Sequence, residues 1–129
     1  MRTSSAKAKG RRACERLREE LLGAFPELYE DDIRVVPSGV TGEDLWLSPM
    51  ARDCLPFAFE SKNQEKLNIW DALKQAASHS DVFPGILSFT RNRDELYIGC
   101  ELKTFLSLAR ARFDLQRAKE SSGEEEASP

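Results

Sequence analysis

One well-marked helix lies between two short apolar runs, and that order constrains the fold more than any other feature of the chain. Phe57 to about Lys62 and Ile86-Leu87-Ser88-Phe89 both have the character of strands. Between them Ile69, Trp70, Leu73, Ala76 and Ala77 keep the spacing of an amphipathic helix, which His79, Ser80 and Asp81 close. A helix joining two strands of one sheet is a crossover. The sheet must therefore contain a parallel pair, with helices on its faces.

The flanking segments extend this core in both directions. Cys14, Leu17, Leu21, Ala24 and Phe25 recur at three and four, which predicts a first helix from Arg11 to about Phe25, ended by Pro26. Ile33 to Val36 and Leu45-Trp46-Leu47 are short strands, separated by a loop with Gly39 and Gly42. Ser48-Pro49 opens a helical stub that stops by Pro56. Arg91 to Asp94 is a polar turn leading to a fifth strand, Glu95 to Cys100, a hairpin partner of the fourth. A last helix starts near Leu102 and runs to about Ala118. The expected architecture is α/β, with a central mixed five-stranded sheet flanked by helices in the order α-β-β-β-α-β-β-α.

Charge is unevenly distributed. The 129 residues carry a formal charge of −3, yet Glu120, Glu124, Glu125 and Glu126 sit in a final segment with Lys119 as its one base. Without that segment acids and bases balance. The first 18 residues hold Arg2, Lys7, Lys9, Arg11, Arg12, Arg16 and Arg18 against Glu15 alone. This divides the chain into a flexible basic arm (1–10), a folded domain (11–118) and a disordered acidic tail (119–129). A basic arm on a neutral body suits phosphate binding; a solvated helix face explains the same charges. No apolar run reaches the roughly 20 residues of a membrane span, and no apolar stretch follows the basic N-terminus as in a secretory signal. Cys14, Cys54 and Cys100 are scattered and His79 has no cysteine nearby, so reduced thiols in a cytoplasmic setting are expected rather than a zinc site.

The strand FAFESKN ends in charge. Period-two alternation puts Glu60 and Lys62 on one face and turns Ser61 away. Asp44 stands just before the second strand, and if the second and third strands are neighbours the three side chains converge at a sheet edge. Two carboxylates and the Ser61 carbonyl suit a hard cation such as Mg²⁺. A lysine beside them can position water and stabilise charge on phosphorus. The plain alternative is a solvated cross-strand face. Asn63 and Gln64 follow as phosphate ligands or as helix caps. His79 suits a partner for the dipole at a helix C-terminus, Trp46 and Trp70 suit the core, and Arg91 and Arg93 suit phosphates.

Together these segments resemble the PD-(D/E)xK nuclease superfamily, and within it the small archaeal and phage Holliday junction resolvases. The resemblance covers roughly Lys9 to Leu108 and is carried by KGRRACERL, VVPSGVTGED, FESKN and FPGILSF. It implies a restriction-endonuclease-like core and a Mg²⁺-dependent endonuclease, with Mn²⁺ able to substitute. Asp44 and Glu60 would bind metal with the Ser61 carbonyl, and Lys62 would be the catalytic lysine. Glu15 would be the acid of the first helix, with Glu19 as its rival, because the spacing from Lys9-Gly10 differs by one residue. Ser38 would be the serine of a mobile loop. Glu43 stands where the family motif has proline. The expected partners are branched DNA and a second copy of the chain, with no membrane, and Lys7, Lys9, Arg11, Arg12, Ser38, Asn63 and Gln64 would hold the DNA. The alternatives are a nuclease for flap or linear DNA, a non-catalytic DNA-binding protein of the same fold, and a scaffold whose acidic tail binds proteins.

Overall fold

The computed structural model describes residues 4–37 and 39–123. Helix α1, Ser4–Ala24, starts seven residues before the expected Arg11. Ala6, Lys7, Ala8 and Lys9 are strong helix formers, so the segment expected to be a flexible arm continues the helix from Ser4 onward. A 3-10 turn, Glu30–Asp32, leads into β1, Ile33–Val35. Then come β2, Leu45–Leu47; α2, Pro49–Cys54; and β3, Ala58–Asn63. The crossover helix α3, Ile69–Ala77, precedes β4, Gly85–Thr90, and β5, Tyr97–Gly99. The last helix, α4, runs from Leu102 to Ser121. Lys119 and Glu120 are thus helical rather than part of a disordered tail, and Glu124, Glu125 and Glu126 lie outside the described residues.

The chain is α/β, but its strands form two sheets among the described residues instead of one of five strands. β1 and β2 pair antiparallel, while β3, β4 and β5 form a mixed sheet with β3 parallel to β4 and β5 antiparallel to it. The required parallel pair is there, and the reason for the break is local. β2 is three residues long and turns at once into α2, where Ser48 caps the helix through Ala51 N–H and Pro49 takes the first position. Among the described residues the backbone bond across to β3 is made by Asp44. Its N–H donates to the Phe59 carbonyl at 2.9 Å, and its own carbonyl accepts from Val36 N–H at 3.0 Å.

Two apolar clusters cover the two faces of the larger sheet. Leu17 of α1 joins Ile33, Leu45, Leu47, Phe59 and Ile86, while Ala72 and Ala76 of α3 pack on Leu87. Phe59 therefore faces α1, and by alternation Glu60 and Lys62 face α3. The tryptophans are not core residues: Trp46 lies under Arg34 at 4.9 Å, and Trp70 is 73% exposed. Along α4, Leu102, Phe105, Leu106, Leu108, Phe113 and Leu115 are also exposed, and Thr104 is the helix's buried residue. All three cysteines are free. Among the described residues no helix is long and apolar enough to cross a membrane.

Arg52 of α2 fixes the approach to Asp44. Its guanidinium forks onto Glu43 at 2.9 and 3.3 Å, donates to the Phe57 carbonyl, and lies 4.6 Å from the Phe83 ring centre. Planar bidentate pairing of this kind holds both partners in one geometry. The position before Asp44 is held here by an ion pair. Arg52→Ala should lower unfolding stability by about 2 kcal/mol, since charged hydrogen bonds of this type are worth roughly 1.5–3 kcal/mol. Urea melts check this, and an unchanged midpoint would show that the fork contributes nothing.

Candidate functional site

Three polar side chains crowd the end of β3. Glu60 is 3% exposed in its side chain, and its two oxygens are taken separately: Lys62 Nζ lies 3.3 Å from Oε2, and His79 Nε2–H donates to Oε1. Lys62 and His79 are themselves only 15% and 8% exposed. A buried carboxylate is costly without such partners. Glu60 and Lys62 are on one face because they are two apart in a strand. His79 joins them from the turn after α3, 19 residues from Glu60.

Asp44 reaches the same place from the opposite edge of β3. Gly42, at φ 108°, supplies the left-handed turn that delivers it. Its Oδ2 accepts from Ser61 N–H at 2.7 Å, so the side chain continues the ladder where β2 does not. Burial, and the charge of Glu60 close by, raise the Asp44 pKa from 3.8 to about 6, against the opposing effects of Ser61 N–H and Lys62. Behind Ser61 lies Cys14 of α1, whose thiol is pushed up by burial and by both carboxylates, which keeps it protonated and unreactive at neutral pH.

The resemblance implies Mg²⁺ here, and the donor chemistry fits it. Asp44 Oδ1 is outside the Ser61 bond. β3 is an edge strand of its sheet. Within a strand the N–H and C=O of one residue point to the same side, so the Ser61 carbonyl is directed toward Asp44 as well. Two carboxylates and a carbonyl are hard oxygen donors. Among the described residues no three His, Cys, Asp or Glu side chains are grouped to hold a metal. A cation would thus rest on these two acids, the carbonyl and water, as Mg²⁺ commonly does.

The remaining expected residues are divided between two places. Lys9 and Gly10 of α1 line a cleft of about 330 Å³ with Ser61, Lys62, Asn63 and Gln64. Lys7, Arg11 and Arg12 are exposed on the same helix. The Asn63 Oδ1 is buried with no partner among the described residues. Glu15 is half-exposed, 3.9 Å from Arg11, and with Glu19 lines a separate groove beside Arg18 and Arg34. Ser38 lies outside the described residues. Arg91 is tied to Asp94 at 2.8 Å.

His79 is the residue that strand and helix patterns assign elsewhere, as a dipole partner. The signal was present: Ala72, Ala76 and His79 follow i, i+4, i+7, the buried face of α3. Compared with protein-family models, with curated proteins and with solved structures, the chain matches none.

Proposed function

We propose that this chain is a metal-dependent endodeoxyribonuclease with a restriction-endonuclease-like core, acting on branched DNA such as a four-way junction. The observation that carries the reading is the meeting of Asp44 and Glu60 at the end of β3, with Lys62 held 3.3 Å from Glu60. Asp44, Glu60 and the Ser61 carbonyl would hold Mg²⁺ or Mn²⁺, which supplies phosphate polarisation and a water of lowered pKa. Lys62, positioned by Glu60, orients the attacking water and offers its charge to the developing phosphorane. His79 holds the other Glu60 oxygen and so fixes the carboxylate's rotation. Lys9 and Lys62, on the two sides of one cleft, offer positive charge to a backbone phosphate, with Lys7, Arg11 and Arg12 extending it along α1. Glu15 enters this reading through the resemblance alone.

Cutting two strands symmetrically needs two sites, and a second copy supplies the other. The exposed apolar residues of α4 favour such a partner, because long helices owe most of their stability to packing of an apolar face.

The test is cleavage of labelled four-way junction, flap and plain duplex side by side in Mg²⁺, with sedimentation of the same preparation. The junction should be cut fastest and by a dimer. Lys62→Ala should stop cutting and leave binding within roughly threefold, the behaviour of a residue that acts in the transition state. A variant that cuts like wild type removes Lys62 from the site. A second reading has its own support: Glu60 is already satisfied on both oxygens by Lys62 and His79, as in a DNA-binding protein that retains the fold without the chemistry. Binding without cleavage in Mg²⁺ and Mn²⁺ would select that one.

A further inference from the structure

Lys62, Phe89 and Tyr97 form one row across the larger sheet, Lys62 beside Phe89 and Phe89 beside Tyr97 in register. Neighbouring strands are about 4.8 Å apart, so the Tyr97 backbone lies roughly 10 Å from that of Lys62 by the same spacing. The Phe89 and Tyr97 rings stack with centres 5.8 Å apart and 30° between planes. Tyr97 nevertheless remains 51% exposed. Over the Phe89–Tyr97 part of this row opens a cavity of about 460 Å³, lined also by Leu67 and Ile69, which are apolar, and by Gln64. Gln64 also lines the cleft that holds Lys9 and Lys62, so the two spaces share a wall.

The lining selects among ligands. A phosphate is disfavoured, because Arg91 is already bound to Asp94 at 2.8 Å and Glu65 adds a further negative charge. A flat, neutral group with a polar edge fits. It can stack on aromatic rings, and the Gln64 side-chain amide, which has no protein partner among the described residues, offers one donor face and one acceptor. Nucleobases have that shape and that edge. In a paired duplex each base is covered by its neighbours, so only an unstacked one can enter.

We infer that the Phe89–Tyr97 cavity receives one unstacked nucleobase beside the phosphate held at Lys62, so that a branch point, where a base next to the cut can leave its stack, is preferred to continuous duplex. The inference rests on the nuclease reading for its second half only, since base stacking needs no metal. Two measurements keep the two separable. In the first, 2-aminopurine is placed at an unpaired position or within a perfect duplex, and its fluorescence is followed on addition of metal-free protein. Wild type and Tyr97→Phe should quench the unpaired probe, and Tyr97→Ala should lose most of that quenching at a temperature where its circular dichroism shows it still folded. In the second, cutting in Mg²⁺ is compared for the unpaired and fully paired substrates, with an expected preference on the order of tenfold that Tyr97→Ala removes and Tyr97→Phe keeps. Equal quenching by wild type and Tyr97→Ala overturns the inference whether or not the protein cuts. Quenching that depends on Tyr97, with no cleavage of either substrate, upholds the base site and sinks the nuclease reading alone.

Discussion

Asp44→Asn should cripple cutting and at the same time stabilise the metal-free protein at neutral pH. The two effects have one cause. Asp44 is pushed up to about 6 mainly by burial, with the Glu60 charge adding to it. In an unfolded chain its carboxyl titrates near 3.8. Between those values the native state binds more protons than the unfolded state, so stability falls as pH rises through the window. Above about 6 the native protein carries the whole penalty of a buried carboxylate beside another. Asparagine has the same shape, still accepts from Ser61 N–H, and brings no charge. The melting temperature of the variant should exceed that of wild type by roughly 3–6 °C at pH 7.5, a shift that corresponds to about 1 kcal/mol in a domain of this size. The gap should shrink as pH falls from about 6 and close below about pH 3, under both pKa values, where Asp44 is protonated in both states. Mg²⁺ should raise the wild-type melting temperature and leave the variant's unchanged, because a ligand stabilises only the state that binds it. Cutting should fall on the order of 10³-fold, as for loss of a main electrostatic contributor. A variant that is less stable than wild type at every pH would refute the account of Asp44 as a strained functional acid.

Much of this site was legible in the sequence because it depends on local rules. Alternation along FAFESKN is enough to place Glu60 and Lys62 together and Ser61 apart, and the crossover helix is enough to require a parallel pair. What escaped depends on distances between elements. Whether β2 adds to β3 turns on how soon the chain leaves the strand for α2, and Asp44 carries the backbone bond across that gap. The Arg52–Glu43 fork that holds Asp44 in place spans nine residues across a loop and a helix, and no periodicity announces it. The start of α1 was hidden for another reason: Ala6 to Lys9 favour a helix by propensity but carry no large apolar residue to mark a face. Trp70 and the aromatic residues of α4 obey helical spacing yet remain exposed, since spacing defines a stripe without saying what covers it.

Gly85→Ala should be strongly destabilising. A Cβ at Gly85 would stand 2.3 Å from the Ala76 carbonyl oxygen, 2.4 Å from its carbon and 2.6 Å from Ala77 nitrogen. All three are backbone atoms at the end of α3, so no side-chain rotation relieves the clash, and either the helix lifts or β4 slides. The register pair Ala58–Gly85 and the bond from Ala58 N–H to the Pro84 carbonyl lie at that spot. Overpacking of a rigid contact typically costs about 1–3 kcal/mol, and the upper end is expected here, against a total of about 5–15 kcal/mol for a whole domain. The site should suffer with the fold. His79 stands two residues past the end of α3, with its N–H directed to the Ala76 carbonyl, so lifting the helix end withdraws His79 from Glu60 and frees the carboxylate to rotate. Cutting at low temperature, where the variant is still folded, should fall along with stability. Gly99→Ala is the control. There a Cβ meets the Leu73 Cδ2 at 3.2 Å and the Phe89 ring at 3.5 Å, both side-chain atoms that can yield. It should shift the urea midpoint far less than Gly85→Ala. Equal midpoints for the two variants would mean that α3 and β4 are not held at the separation that places His79 against Glu60.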